Sequence, residues 1–184
     1  MSADFITPDW PAPARVRAWA TTRRGGDSVA PYESFTRGDH VGDDPAAVAR
    51  NRARLARHTG TDIAWLRQVH GVTCVAAESV AGPTDADALH CRTPGLACAV
   101  MTADCLRGLA AGVLENTVAA MAVPGNRLMA WLGPAIGPGA YEVGDAVRDV
   151  FCRTDAEAEG AFLARRERKW LCDLYALARL RLQR

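Results

Sequence analysis

The clearest pattern of apolar and polar positions lies between residues 43 and 60. Asp43-Asp44-Pro45 gives an acidic cap followed by proline in a first turn, and the alanine- and arginine-rich stretch to His58 stops at Gly60, which predicts a helix. Before it, Arg15 to Thr22 alternates as a strand does and is broken by Arg23-Arg24-Gly25-Gly26-Asp27-Ser28, a glycine turn. After it, Ile63–Val69 and Thr73–Val80 read as two strands joined tightly through His70-Gly71. Gly82 to Thr93 is polar and turn-prone. It leads through Pro94-Gly95 into Leu96–Thr102, an apolar run expected to be a strand buried on both faces, with Asp104 and Cys105 just past its end.

The second half predicts a helix over Gly108–Met121, a buried strand over Leu128–Leu132, a shaped glycine- and proline-rich loop over Gly133–Gly144, and a short helix over Gly144–Phe151. In the tail, Leu171, Leu174, Tyr175, Ala178 and Leu182 share one face of a helix capped by Asp173. Helices and strands mix without a strict βαβ rhythm. The expectation is therefore an α+β fold, a single domain over residues 1–184 with a mixed sheet in α/β/α layers.

Composition narrows the function classes. With 22 lysines and arginines against 21 acidic residues, the net charge of +1 supplies no long-range field for nucleic acid or an anionic membrane, so an anionic ligand must be held locally. No apolar run approaches a bilayer span and the start lacks a signal-peptide pattern, which points to a cytoplasmic protein. Cysteines at 74, 91, 98, 105, 152 and 172 form no CxxC pair and read as reduced thiols, most of them core filler.

Candidate chemistry sits at strand ends. His70 and Cys105 each terminate an apolar run, and an imidazole and a thiolate brought together bind a borderline-soft ion such as zinc or copper. A catalytic zinc usually takes three protein ligands, so two are too few, and a buried free cysteine with a hydrogen-bonded histidine is the structural alternative. Arg23 and Arg24, with the Gly25-Gly26 backbone and the Ser28 hydroxyl, have the donors to hold an anion, although such a turn is often simply solvated. Asp85, Asp87 and Asp104 offer acid/base or orienting carboxylates, and aspartates in such segments commonly cap turns instead.

Taken together, Thr21-Thr22-Arg23-Arg24-Gly25-Gly26, Pro31-Tyr32-Glu33-Ser34-Phe35, His40-Val41-Gly42-Asp43-Asp44, Gln68-Val69-His70-Gly71, Asp87-Ala88-Leu89, Thr102-Ala103-Asp104-Cys105, Gly133 to Pro138 and Tyr141-Glu142-Val143-Gly144 resemble, in order and interval, the YfiH-type family of laccase-like purine nucleoside phosphorylases. The resemblance runs from about Trp19 to the C-terminus. It implies a compact α/β protein with one metal, usually zinc and alternatively copper. The ligands would be the histidine of Q-V-H-G, the cysteine of A-D-C and a second histidine in H-A-G-W-R-G. By position His70 and Cys105 take the first two roles.

The implied activity is phosphorolysis of purine nucleosides (adenosine, inosine, methylthioadenosine), with adenosine deamination at the same site. The small-molecule partners are a purine nucleoside and phosphate, and the protein is a monomer or homodimer. On this reading Arg23 and Asp104 are the catalytic candidates, and Arg23, Arg24, Gly25, Gly26 and His40 contact substrate. In deamination a zinc-bound hydroxide would attack the purine C6, with Asp104 orienting it or moving a proton.

The chain departs from the family where Cys105-Leu106 runs directly into Arg107-Gly108, the tail of H-A-G-W-R-G, so a strand and the third ligand are absent, and it ends before the family's usual last segment. Thr36-Arg37 and Gly139-Ala140 stand where Asn-Leu and cysteines are common. Losing a central strand would leave its neighbours unpaired and cost apolar burial, so the functional reading refers to a protein that carries the segment. Rival readings are a laccase-like polyphenol oxidase, which would need more histidines than the four present, a peptidoglycan-precursor amidase using the same metal, and a non-catalytic binding protein.

Overall fold

A computed structural model describes residues 5–101 and 106–184. The first pairing is antiparallel, β1 (Phe5–Ile6) with β2 (Ala20–Thr21). Most of the strand expected from Arg15 onward is irregular, because only two of its residues find a partner strand.

Helix α1 (Pro45–Thr59) forms as its sequence dictates. The Asp44 carboxylate accepts the Ala46 and Ala47 N–H groups at 3.1 and 3.2 Å, Pro45 opens the first turn, and Gly60 ends the helix in the left-handed region at φ 68°. Its buried face is Ala47, Val48, Asn51, Leu55 and Thr59, a four-residue spacing with one amide among the apolar groups.

Next come β3 (Asp62–Ala64), β4 (Cys74–Ala76) with a 3-10 turn at Ala77–Ser79, β5 (Ala88–His90) and β6 (Leu96–Cys98). They pair in parallel as β3 with β6 and β4 with β5, over a core of Ala64, Leu66, Ala77, Ala86 and Leu89. Leu96–Thr102 was expected to be buried on both faces, yet the strand stops at Cys98, and Cys98 and Val100 are exposed; Thr102 lies outside the described residues. Among the described residues β6 pairs with β3 alone.

Two helices replace the one expected over Gly108–Met121. α2 (Leu106–Ala111) and α3 (Val113–Met121) meet at Gly112, whose φ of 104° breaks the helical path, and α3 lies against β4 and β5. Leu128–Leu132 does not form the expected buried strand: Leu128 is extended, but the segment belongs to no sheet and Met129 is half exposed. An apolar pentapeptide needs a partner strand to satisfy its backbone, and the described residues give it none.

The C-terminal part is one unit around β7 (Glu142–Gly144), α4 (Asp145–Thr154), a 3-10 segment at Ala156–Ala161, β8 (Phe162–Arg166), β9 (Lys169–Cys172) and α5 (Leu174–Leu182). The sheet order is β7-β9-β8, antiparallel throughout. Its core joins Phe151, Phe162, Cys172 and Leu177 to Leu106 and Leu109 of α2. Asp173 caps α5 by accepting the Ala176 N–H at 2.9 Å, as its sequence implied. The inward residue of α5 is Leu177, while Leu182 is 37% exposed. Cysteine as core filler holds for Cys172 alone among the five described thiols; Cys74, Cys91 and Cys152 are half-buried and Cys98 is exposed. The fold is α+β, and no described helix is long and apolar enough to cross a membrane.

Candidate functional site

His70 is exposed and sits at φ 57°, a left-handed conformation that costs a non-glycine residue about 1–3 kcal/mol. The conformation is held from both sides by one carboxylate. Asp87 Oδ1 accepts the Val69 N–H at 3.0 Å and Asp87 Oδ2 accepts the Gly71 N–H at 2.8 Å, so the carboxylate brackets the histidine. Charge-assisted bonds of this kind are the stronger class, and two of them offset the strain. A side chain at Gly71 would place its Cβ 3.1 Å from Asp87 Oδ2, which favours glycine there.

Asp87 is in turn fixed by the segment that carries it. Residues 84–88 run beside 67–73: Arg67 N–H donates to Thr84 O at 2.9 Å, Ala86 N–H to Arg67 O at 3.3 Å, and Asp87 N–H to Thr73 O at 2.9 Å. Arg67 and Asp85 clasp side chains as well, Nη2 to Oδ2 at 2.9 Å, and this hydrogen bond holds the Asp85 carboxyl below its usual range. Ala86 between the aspartates is fully buried. The polar stretch Gly82–Thr93 is therefore the frame of the histidine loop, with Asp85 and Asp87 as braces.

Gln68 points the other way. Its Oε1 accepts the Met101 N–H at 2.6 Å, tying the histidine loop to the residue before Thr102. Asp104 and Cys105, the candidate proton carrier and second ligand, lie outside the described residues. From the opposite side α2 and α3 close in: a Cβ on Gly108 would meet Gly71 O at 3.4 Å, and Asn116 Nδ2 donates to Val72 O at 3.0 Å.

The arginine turn is a second pre-organised element. Asn51 of α1, fully buried, accepts the Asp27 N–H at 2.9 Å and donates to Ser28 Oγ at 2.9 Å, Thr36 O at 2.8 Å and Ser34 O at 3.3 Å. Ser34 Oγ takes the Gly26 N–H at 3.1 Å, Ser34 O takes the Ser28 N–H at 2.8 Å, and Thr22 Oγ1 takes the Arg24 N–H at 3.3 Å. The Gly26 amide and the Ser28 hydroxyl, both expected to help cradle an anion, are thus engaged inside the loop. What the turn offers solvent is the exposed side chains of Arg23 and Arg24, with Arg23 Nε anchored on Glu33 O at 3.1 Å. Gly25 has φ 81° and its carbonyl accepts from Arg54, while a Cβ at Gly26 would fall 2.0 Å from Ser34 O, so both glycines are required by the packing of the turn.

His40 is exposed, 3.6 Å from Asp39, which pairs with Arg52 at 3.2 Å. Arg52 also donates to Arg37 O at 2.8 Å and stacks 4.6 Å over Trp65, linking the His40 loop to the segment that follows β3 and leads to His70. Among the described residues no hydrogen bond or ion pair joins Arg23 or Arg24 directly to His70.

Two shallow clefts, of about 280 and 250 Å³, one lined by Pro138, Gly139, Leu163, Leu171 and Asp173 and the other by Thr7, Trp10, Val16, Arg17 and Trp19, do not include His70 in their lining. Among the described residues no three histidines, cysteines or carboxylates converge as a metal site. Of the two expected ligands, only His70 falls among the described residues.

Sequence reasoning missed Asn51 and the bracketing role of Asp87. An asparagine in the apolar register of a helix is the signal for the first, while the second depends on a contact between residues 16 apart in a turn-rich segment.

Comparison with known proteins gives the family. A model described as multi-copper polyphenol oxidoreductase laccase matches residues 17–107 and 106–184. Purine nucleoside phosphorylase PA4543 of Pseudomonas aeruginosa is 50% identical over 198 residues, covering 97% of this chain and 81% of the relative. Purine nucleoside phosphorylase YfiH of Escherichia coli is 46% identical over 201 residues, covering 97% and 82%. The crystal structure of Neisseria meningitidis protein NMB0706 is similar with a TM-score of 0.94 at 47% identity over 97% of this chain and 82% of that one. YlmD from Geobacillus stearothermophilus aligns with a TM-score of 0.88 at 27% identity, over 97% and 80%. With both halves of the chain matched, and with relatives far above the identity at which a fold diverges, the chain belongs to the laccase-like multi-copper polyphenol oxidoreductase family, whose curated members here are named purine nucleoside phosphorylases.

Proposed function

We propose that this protein cleaves the glycosidic bond of purine nucleosides with phosphate. The observation that carries this reading is the 50% identity to a purine nucleoside phosphorylase over nearly the whole chain. Phosphate attacks the ribose C1 carbon as the purine departs, and oxocarbenium character develops between them. The protein must therefore hold a dianion and stabilise a spreading charge. The exposed side chains of Arg23 and Arg24, on a turn locked by Asn51, supply the anion site, and Arg23 is the catalytic candidate through its contact with the attacking phosphate. His40 is assigned to the substrate on its neighbouring loop, and Gly25 and Gly26 shape the turn.

His70 and Cys105 are the residues proposed to hold a metal, zinc in preference to copper. Bound there, zinc would supply Lewis-acid polarisation and an acidified water, the chemistry that adenosine deamination requires, with Asp104 beside it as proton carrier. The alignment with the P. aeruginosa relative runs over 198 positions while this chain contributes 97% of its 184 residues, so about twenty positions face no residue here. We place them between Leu106 and Arg107, where the two family matches meet, and assign the third ligand to that stretch. A multicopper oxidase is disfavoured, since only four histidines are present and one of them, His58, is stacked at 3.6 Å on Phe5.

Incubation with inosine and phosphate tests the reading. Release of hypoxanthine that requires phosphate is expected for the phosphorylase. Absence of hypoxanthine with the folded protein at high concentration overturns it.

A further inference from the structure

We infer that Asp87 is the positioning residue of the site, setting the backbone conformation in which His70 is presented. His70 is held with φ positive, and the amides on either side of it both end on the same carboxylate, at 3.0 and 2.8 Å. A single acceptor group with two oxygens is what this arrangement needs. One N–H precedes the histidine and one follows it, so both bonds form together only while residue 70 is folded into the tight left-handed turn. Release of either N–H lets the turn relax toward the extended region that an ordinary histidine prefers.

The carboxylate is itself held rigidly. Asp87 N–H is on Thr73 O, Ala88 N–H is on the same carbonyl at 3.1 Å, and β5 begins at the next residue in register with β4. The neighbouring Asp85–Arg67 clasp locks the segment one step earlier. Asp87 thus transmits the geometry of the β4–β5 pair to the backbone of His70, and Gln68 ties the same loop to Met101. The inference rests on the phosphorylase reading for its catalytic consequence; the backbone clamp stands on the geometry.

Two variants distinguish positioning from bulk stability. Asp87→Ala removes both acceptors, while Asp87→Asn keeps the shape, retaining one acceptor oxygen and turning an N–H group toward the second amide. Hydrogen exchange at the Val69 and Gly71 amides should quicken about tenfold or more in Asp87→Ala, with Asn intermediate, and the β5 amides of Leu89 and His90 should keep wild-type rates. In inosine phosphorolysis kcat should fall about tenfold in the alanine variant with KM within about threefold, again with Asn between. Unchanged exchange at Val69 and Gly71 overturns the clamp. A kcat loss no larger than the loss of folded protein overturns the positioning role. Should the wild type release no hypoxanthine, the activity reading fails, and the exchange rates still decide whether Asp87 sets the loop.

Discussion

Asn51→Ala is the substitution that most directly probes the arginine turn. The side chain is fully buried and makes three well-formed hydrogen bonds, from Asp27 N–H and to Ser28 Oγ and Thr36 O at 2.9, 2.9 and 2.8 Å, with a longer contact to Ser34 O. Alanine would strand those partners without solvent to replace the amide. A bond lost net costs about 1 kcal/mol and a buried group left unsatisfied about 1–3 kcal/mol, so the change should destabilise by roughly 2–4 kcal/mol. For a chain of this size that lowers Tm by roughly 5–15 °C. Thermal and urea unfolding followed by circular dichroism measure it. Asn51→Asp keeps the acceptor for Asp27 N–H but turns a charge onto the carbonyls of Ser34 and Thr36, and it should be the worse variant at neutral pH. An alanine variant within about 0.5 kcal/mol of wild type would refute the claim that this amide holds the turn.

The remaining predictions concern the core, the anion site and pH. Phe151→Ala, at 1% exposure in the C-terminal core, should cost about 3–5 kcal/mol in urea unfolding, and a smaller loss would mean the core collapses around the cavity. Arg23→Ala and Arg24→Ala should each raise the KM for phosphate about tenfold or more while leaving the fold intact, because neither head group is buried; an unchanged phosphate KM would move the anion site elsewhere. Glu78 accepts the Arg92 and Thr93 N–H groups at 2.7 and 2.8 Å, and those backbone bonds hold its carboxyl down to about 2. A depressed carboxyl stabilises above its unfolded pKa, so the 91–95 loop should hold above about pH 4.5 and loosen as pH falls toward 2. Amide exchange at Arg92 and Thr93 should show that loss, and Glu78→Gln should flatten it.

Helix α1 was legible because cap, proline, apolar spacing and terminal glycine all agreed on one element. The strands were located but drawn too long, since alternation continues where pairing stops: β3 ends at Ala64 and β6 at Cys98. Leu128–Leu132 has the composition of a buried strand and forms none, because a strand exists through its partner, and no partner is present among the described residues. The β8–β9 hairpin was hidden by its charge. Arg165, Arg166, Glu167, Arg168 and Lys169 show no apolar alternation, whereas such charged residues suit an edge strand, and Arg166 pairs with Glu142 at 2.6 Å.

For the site, the turn at Arg23–Ser28 and the loop at His70 were visible as motifs. What spacing could not show was how each is held: an amide from α1 for one, and the Asp87 carboxylate for the other.

The central claim is that phosphate, rather than water, breaks the nucleoside bond, and phosphorus NMR of a reaction with inosine tests it most directly. The account predicts that a ribose 1-phosphate resonance grows in step with hypoxanthine as inorganic phosphate declines. Hypoxanthine accompanied by free ribose, with the phosphate signal unchanged, would contradict it.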